Sequence, residues 1–183
     1  MRSTTILTII RRAGAVPVAA ETLPPHRMFW PGVGLASLVF ALDQASKWFI
    51  LEAVMDPPRV LAVTGFFNLV LVWNRGVSFG LFPAEGPFGP WIWIGLAAVV
   101  TVVLLVLLWR TGSLATGIAY GLVAGGAIGN AVDRVRFGAV VDFLDFHVLG
   151  WHWPAFNVAD SGITGGVAVL ILLSLFQKAE APR

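Results

Sequence analysis

The sequence predicts an all-α membrane protein, with four transmembrane helices, a small extramembrane β-sheet and a surface amphipathic helix. Three observations predict it. Of 183 residues, 57% are hydrophobic and only 12% charged, and the mean hydropathy is +0.83; soluble domains carry about 25% charged residues. Four windows come close to the roughly 20 apolar residues that cross a bilayer. The two long connections between them are rich in aromatic and β-branched residues and keep most of the carboxylates.

The first span is read over residues 31–50, "PGVGLASLVFALDQASKWFI", and it carries Asp43 and Lys47. The second, residues 90–109, has no charge and has tryptophans near both ends, where interfacial anchors belong. Residues 113–132, the third, are rich in small side chains that let helices approach closely. The fourth covers residues 158–176, with Asp160 near its start. An even number of spans puts both termini on one side. That side collects Arg2, Arg11, Arg12, Arg27, Arg110, Lys178 and Arg183, while Arg59, Arg75, Arg134 and Arg136 lie on the other. The excess of basic residues places the termini in the cytoplasm and the two long connections outside.

In the first outer connection, residues 60–82 read as short strands of β-branched and aromatic residues, punctuated by Gly65, Gly76 and Gly80. Asn68, Asn74 and Arg75 interrupt this run and argue against a fifth span. Residues 1–28 are read as a cytoplasmic tail, with a start at Met28 as the alternative, because their apolar run is too short for a signal peptide. Residues 29–177 form a single membrane-embedded domain, and 178–183 a cytoplasmic C-terminal tail.

Several function classes drop out. With no cysteine, disulfides, thiolate catalysis and cysteine metal sites are excluded. His147 and His152 are five apart and no HExxH is present, so no metal site is expected. The pI is near 9.7, but the net charge is only +2 and no basic patch adjoins exposed aromatics. No nucleic-acid partner is expected.

Ionisable residues at membrane depth are costly and so are functional candidates. Asp43 and Lys47 stand one helical turn apart and can pair; a structural ion pair is the favoured reading over a part in chemistry. In "GGAIGNAVDR", residues 125–134, glycines allow a close neighbour, while Asn130, Asp133 and Arg134 occupy the last turns. These three are read either as a helix end meeting headgroups or as site residues. Asp142 and Asp160 flank one connection and therefore lie at the same membrane surface. Two carboxylates close together cannot both ionise cheaply, so one keeps its proton, as aspartic proteolysis requires. A carboxylate pair at a membrane surface also serves ion or proton transfer, and a proton- or ion-coupled transporter is the alternative. Asn157, three residues before Asp160, could orient a carboxyl. Asp145 sits in "FLDFHVLGWHW" and is read as the wet side of an interfacial helix.

These motifs together resemble the lipoprotein signal peptidases, or signal peptidase II. The resemblance runs from about residue 30 to 176 and rests on "LDQASKW" (42–48), "FFNLVLVWNRGVSFGLF" (66–82), "GGAIGNAVDR" (125–134), "VVDFLDF" (140–146) and "FNVADSGI" (156–163), in this order. It implies a bacterial inner-membrane aspartic endopeptidase with its site near the periplasmic face. Such an enzyme removes the signal peptide of diacylglyceryl-modified prolipoproteins on the amino side of the lipid-modified cysteine. It implies Asp142 and Asp160 as catalytic residues and Asn74, Asn130, Arg134 and Asn157 as substrate-binding or supporting residues. Asp43, Lys47 and Asp133 would be structural polar residues. It implies no cofactor, and as partners membrane lipids and the prolipoprotein; the enzyme is expected to be a monomer. Arg75, Val77 and Ser78 depart from the family's usual small residues at the rim of the site. Residues 145–154 are expected to close over substrate as a lid, in which case cross-linking them to residues 60–82 would block turnover.

Overall fold

The structure is a computed structural model that describes residues 26–76 and 89–179. Most of the expected N-terminal tail, Val77, Ser78 and the last four residues lie outside the described residues. Among the described residues there are four long helices: α1 (Phe29–Phe49), α2 (Gly89–Arg110), α3 (Leu114–Phe137) and α4 (Val158–Ala179). A five-residue π-helical turn, Ile50–Val54, extends α1. By length and composition three helices can cross a membrane: α2 at mean hydropathy 2.8, α3 at 1.3 and the Val158–Phe176 part of α4 at 1.9.

α3 is the central element because its small residues let two helices reach its backbone. A Cβ on Gly125 would collide with the carbonyl oxygen of Ala36 on α1, and one on Gly126 with that of Ala159 on α4. Ser113 caps the start of α3 by accepting from the Thr116 N–H at 3.4 Å, and Gly138 ends it in the left-handed conformation at φ 71°. α2 packs on the outside. Its Trp91, Ile92, Val99, Val102 and Val103 are exposed, as suits a face that meets hydrocarbon instead of water. Before α1, Met28 is buried, and the His26 ring lies 4.2 Å from that of Trp109.

α1 is bound to this centre by a buried ion cluster. Lys47, 3% exposed, lies 2.8 Å from Asp43 and 2.8 Å from Asp133 on α3, which are 0% and 1% exposed. Gln44 donates to Asp133 at 2.9 Å. Both carboxylates also reach backbone: Asp43 accepts the Ala159 N–H at 2.9 Å through its other oxygen, and Asp133 accepts the Val141 N–H at 3.1 Å through the oxygen that faces Lys47. Three charges out of water are tolerated here because each is paired and hydrogen-bonded. The expected structural pair is thus a triad that includes Asp133.

The sheet is antiparallel, in the order β1 (Leu61–Thr64), β2 (Phe67–Asn74), β3 (Val140–Val148), β4 (Trp151–His152). It packs on the end of α1 through Ile50, Val54, Met55, Val141 and Phe143. The first two strands meet the expectation over residues 61–74; residues 77–82 of that stretch lie outside the described residues. The surface amphipathic helix expected over "FLDFHVLGWHW" is not formed; that stretch is a β-hairpin that turns at Leu149 (φ 49°) and Gly150 (φ 82°). Its alternation of buried and exposed residues is the two-residue period of a strand, and β2 needs backbone partners along the edge that β3 fills.

Asp145 is consequently not on a wet face. It pairs with Asn68 across the sheet, is 6% exposed, and accepts from Asn68 Nδ2 and from His152 Nδ1, both at 2.9 Å. Burial opposes its ionisation, but these hydrogen bonds together with the neighbouring His152 and His147 outweigh it and hold its carboxyl below the usual value. The lid expectation changes with it. Phe146 pairs with Phe67 of β2, the Trp153 N–H donates to Phe146 at 2.8 Å, and Phe156 returns to bond Leu144. A cross-link between the two segments would join strands that are already neighbours.

Two stability outcomes follow from this packing. Gly126→Val should lower the unfolding midpoint in detergent by the equivalent of about 1–3 kcal/mol, and wild-type stability would mean that α3 and α4 are not in backbone contact. Lys47→Met should cost more, about 3–5 kcal/mol, because it strands two buried carboxylates; the same denaturation measurement decides it.

Candidate active site

Asp142 enters the site from β3 and Asp160 from the first turn of α4, and both are buried, at 1% and 5% exposure. Three asparagines hold them. Asn74, at the end of β2, donates Nδ2 to Asp142 Oδ2 at 2.9 Å. Asn157 donates Nδ2 to Asp142 Oδ1 at 2.7 Å. Asn130 of α3 donates Nδ2 to Asp160 Oδ1 at 2.9 Å.

Each of these amides is oriented by a donor at its other end. Asn74 Oδ1 accepts the Gly76 N–H at 3.0 Å. Asn157 Oδ1 accepts the Asp160 N–H at 2.9 Å, in the manner of an N-cap three residues before it. Asn130 Oδ1 accepts from Lys47 Nζ at 3.1 Å and from Asn157 Nδ2 at 3.3 Å. A carboxamide whose oxygen faces a donor must turn its NH2 the other way, so all three donate to a carboxylate.

Burial, and after it the charge of Asp160, push the Asp142 carboxyl up to about 7, against the opposing pull of Asn74, Asn157 and Lys47. Asn157, which donates to Asp142 and accepts the Asp160 N–H, bridges the two residues. A carboxyl group poised near neutrality can hold or release a proton at working pH, which acid–base chemistry requires. Arg134 reaches the same region, donating to the Gly76 carbonyl at 2.6 Å and the Asn130 carbonyl at 3.1 Å.

The structure therefore gathers Asn74, Asn130, Arg134, Asp142, Asn157 and Asp160, the residues singled out in the sequence, in one place. Asp43, Lys47 and Asp133 stand immediately behind them. Gln44 and the backbone groups of Val141 and Ala159 were not anticipated; the only signal for Gln44 was its place beside Asp43. Among the described residues, no group of three or more His, Cys, Asp or Glu side chains is arranged to hold a metal ion.

Comparison with known proteins bears on what this site does. A family model described as signal peptidase (SPase) II matches residues 35–176. The chain is 44% identical over 150 residues to the lipoprotein signal peptidase of Methylobacterium sp. (strain 4-46), covering 81% of this chain and 91% of that one. It is 46% identical over 154 residues to the lipoprotein signal peptidase of Methylorubrum extorquens (strain PA1), covering 81% and 89%. Two solved structures described as bacterial membrane enzymes align with TM-scores of 0.74 and 0.69, at 27% and 29% identity, covering 84% and 79% of this chain and 92% of each of theirs. The match over most of the chain's length, in sequence and in fold, establishes that the chain belongs to the signal peptidase II family, the lipoprotein signal peptidases.

Proposed function

We propose that this membrane protease cleaves diacylglyceryl-modified bacterial prolipoproteins on the amino side of the lipid-modified cysteine, with Asp142 and Asp160 as its catalytic dyad. The observation that carries the reading is the pair of buried carboxylates, each held by an oriented asparagine, with Asp142 pushed up to about 7. In this mechanism Asp142 carries the proton and donates it towards the scissile carbonyl. Its partner takes a proton from the attacking water. When the tetrahedral intermediate collapses, the proton goes to the leaving amine. Asn157 holds Asp142 and the Asp160 backbone together, and Asn74 and Asn130 keep the carboxylate oxygens aimed. Arg134 ties the start of the connection after β2 to the site. No cofactor is required.

We read α1 as a fourth span. Its charges turn inward to Asp133, while Leu38, Leu42 and Phe49 are exposed, so its outer face is apolar. The basic residues then favour cytoplasmic termini, with the dyad near the periplasmic face of the inner membrane. The dyad and its supporting side chains come from one chain, which suits a monomer. The transporter alternative gives way to the family assignment.

The direct test is cleavage of a purified diacylglyceryl-modified prolipoprotein. Asp142→Asn and Asp160→Asn should each lower kcat by about 10²–10⁴-fold; normal turnover by either variant would remove it from the dyad. The pH profile gives a second test. Asp142 loses its proton as pH rises through about 7, so kcat/KM should fall on the alkaline side there. The Asn74 hydrogen bond favours the ionised form, so Asn74→Ala should move that alkaline limb to higher pH while lowering the maximum. A limb that stays in place would mean that Asp142 is not the proton carrier.

A further inference from the structure

A trough of about 190 Å³ lies between α2 and α3, with Ile163 of α4 contributing to its wall. One side is formed by Trp93, Ala97 and Val100, and the other by Val123, Ala127 and Arg134. These sets are spaced by four, three and seven residues, so each lines a single face of its helix. The three-residue link between Arg110 and Leu114 makes the helices antiparallel neighbours. At 1.5 Å per residue, Trp93 and Arg134 both lie about 25–30 Å from that link, at the same end of the trough. From there it runs for about 10–16 Å along the helices, walled by aliphatic side chains. Asn130, which lines its upper part, is also the residue that donates to Asp160.

The polar end holds two unused donors. Trp93 Nε1 and Arg134 Nε are buried and have no hydrogen-bond partner among the described residues, although the other two guanidinium nitrogens of Arg134 are engaged by backbone carbonyls. A buried N–H without an acceptor costs about 1–3 kcal/mol, and few such groups persist in native structures unless something binds them. Two donors capping an aliphatic trough call for a ligand with acceptor-only oxygens at one end and a hydrocarbon chain at the other. An acyl ester has that form.

We propose that this trough seats one acyl chain of the substrate's diacylglyceryl group, with its ester carbonyl oxygen accepting from Trp93 Nε1 and Arg134 Nε. The occupant follows from continuity with the dyad: the polar end of the trough is lined by the asparagine that holds Asp160, so a chain seated there belongs to the molecule being cleaved. The outer face of α2 beside the trough, with Leu96 and Val99 exposed, gives the chain entry from the hydrocarbon. Trp93 becomes a specificity-determining residue that binds lipid without touching the scissile bond. This assignment depends on the prolipoprotein reading of the substrate.

Two measurements test it. Trp93→Phe keeps the ring and deletes the donor, and should raise KM by roughly 3–10-fold with kcat within about two-fold, the pattern of lost uniform binding. Ala127→Leu should raise KM for a long-chain diacylglyceryl substrate and leave KM unchanged for one bearing short acyl chains. Unchanged KM in both variants overturns the proposal. In the second measurement, the Asp142→Asn protein in nanodiscs is irradiated with a diacylglyceryl peptide carrying a mid-chain diazirine. Label on the segments containing Trp93 to Val100 and Val123 to Ala127 supports the trough, and label confined to outward faces overturns it. A diazirine phosphatidylglycerol that labels the trough and is not displaced by the peptide would assign it to a structural lipid instead, and would also overturn it. The labelling is read without turnover, so failure of the peptidase reading and failure of the acyl site are separately visible.

Discussion

The Lys47 ammonium, out of water between Asp43 and Asp133, is the interaction on which the rest of the site depends. A lone charge at that depth would be untenable, and two carboxylates without it would repel each other. Together they lock α1 to α3. The spare oxygen of Asp43 holds the Ala159 N–H, one residue before Asp160. The Asp133 oxygen that faces Lys47 also holds the Val141 N–H, one residue before Asp142. The backbone that delivers each carboxylate of the candidate dyad is thereby tied to one ion cluster, across elements far apart in sequence.

The same lysine sets polarity in the next layer. By donating to Asn130 Oδ1 it turns the amide nitrogen towards Asp160, and the N-cap role of Asn157 does the equivalent for Asp142. Hydrogen-bond direction passes from an ammonium group through neutral amides to the carboxylates. That matters chemically, because a cation in direct contact would hold Asp142 ionised. With neutral donors alone in contact, burial and the neighbouring carboxylate dominate and its proton is retained to about 7.

The residues 145–153 show where local pattern fails. Alternating aromatic, polar and β-branched residues near a membrane fit an interfacial helix, and equally a strand with one face covered. The choice lay with β2, whose open edge residues 140–146 fill, and with Gly150, which allows the hairpin to reverse. Neither the partner strand nor the register is encoded within the segment. Asp145 accordingly moved from an assumed wet face to a buried bond with Asn68. Trp93 was similarly invisible as anything but an interfacial anchor, because its N–H acquires meaning only opposite Arg134.

What the sequence determined by itself was the membrane class, the positions of the four long helices, and the polar residues expected to meet at the candidate site. Hydrocarbon solvent imposes length and apolarity on each helix, and it makes every charge within one conspicuous. What only the tertiary structure decided was direction and partnership. It decided which oxygen of each carboxylate faces which donor, that Asp133 joins the Asp43–Lys47 pair, that the second long connection pairs as a strand, and that two unused donors share one trough. Many of these depend on contacts between residues far apart in the chain, such as Asn68 with Asp145, 77 positions away, and Asp43 with Ala159, 116 positions away, and one-dimensional spacing carries no information about such meetings.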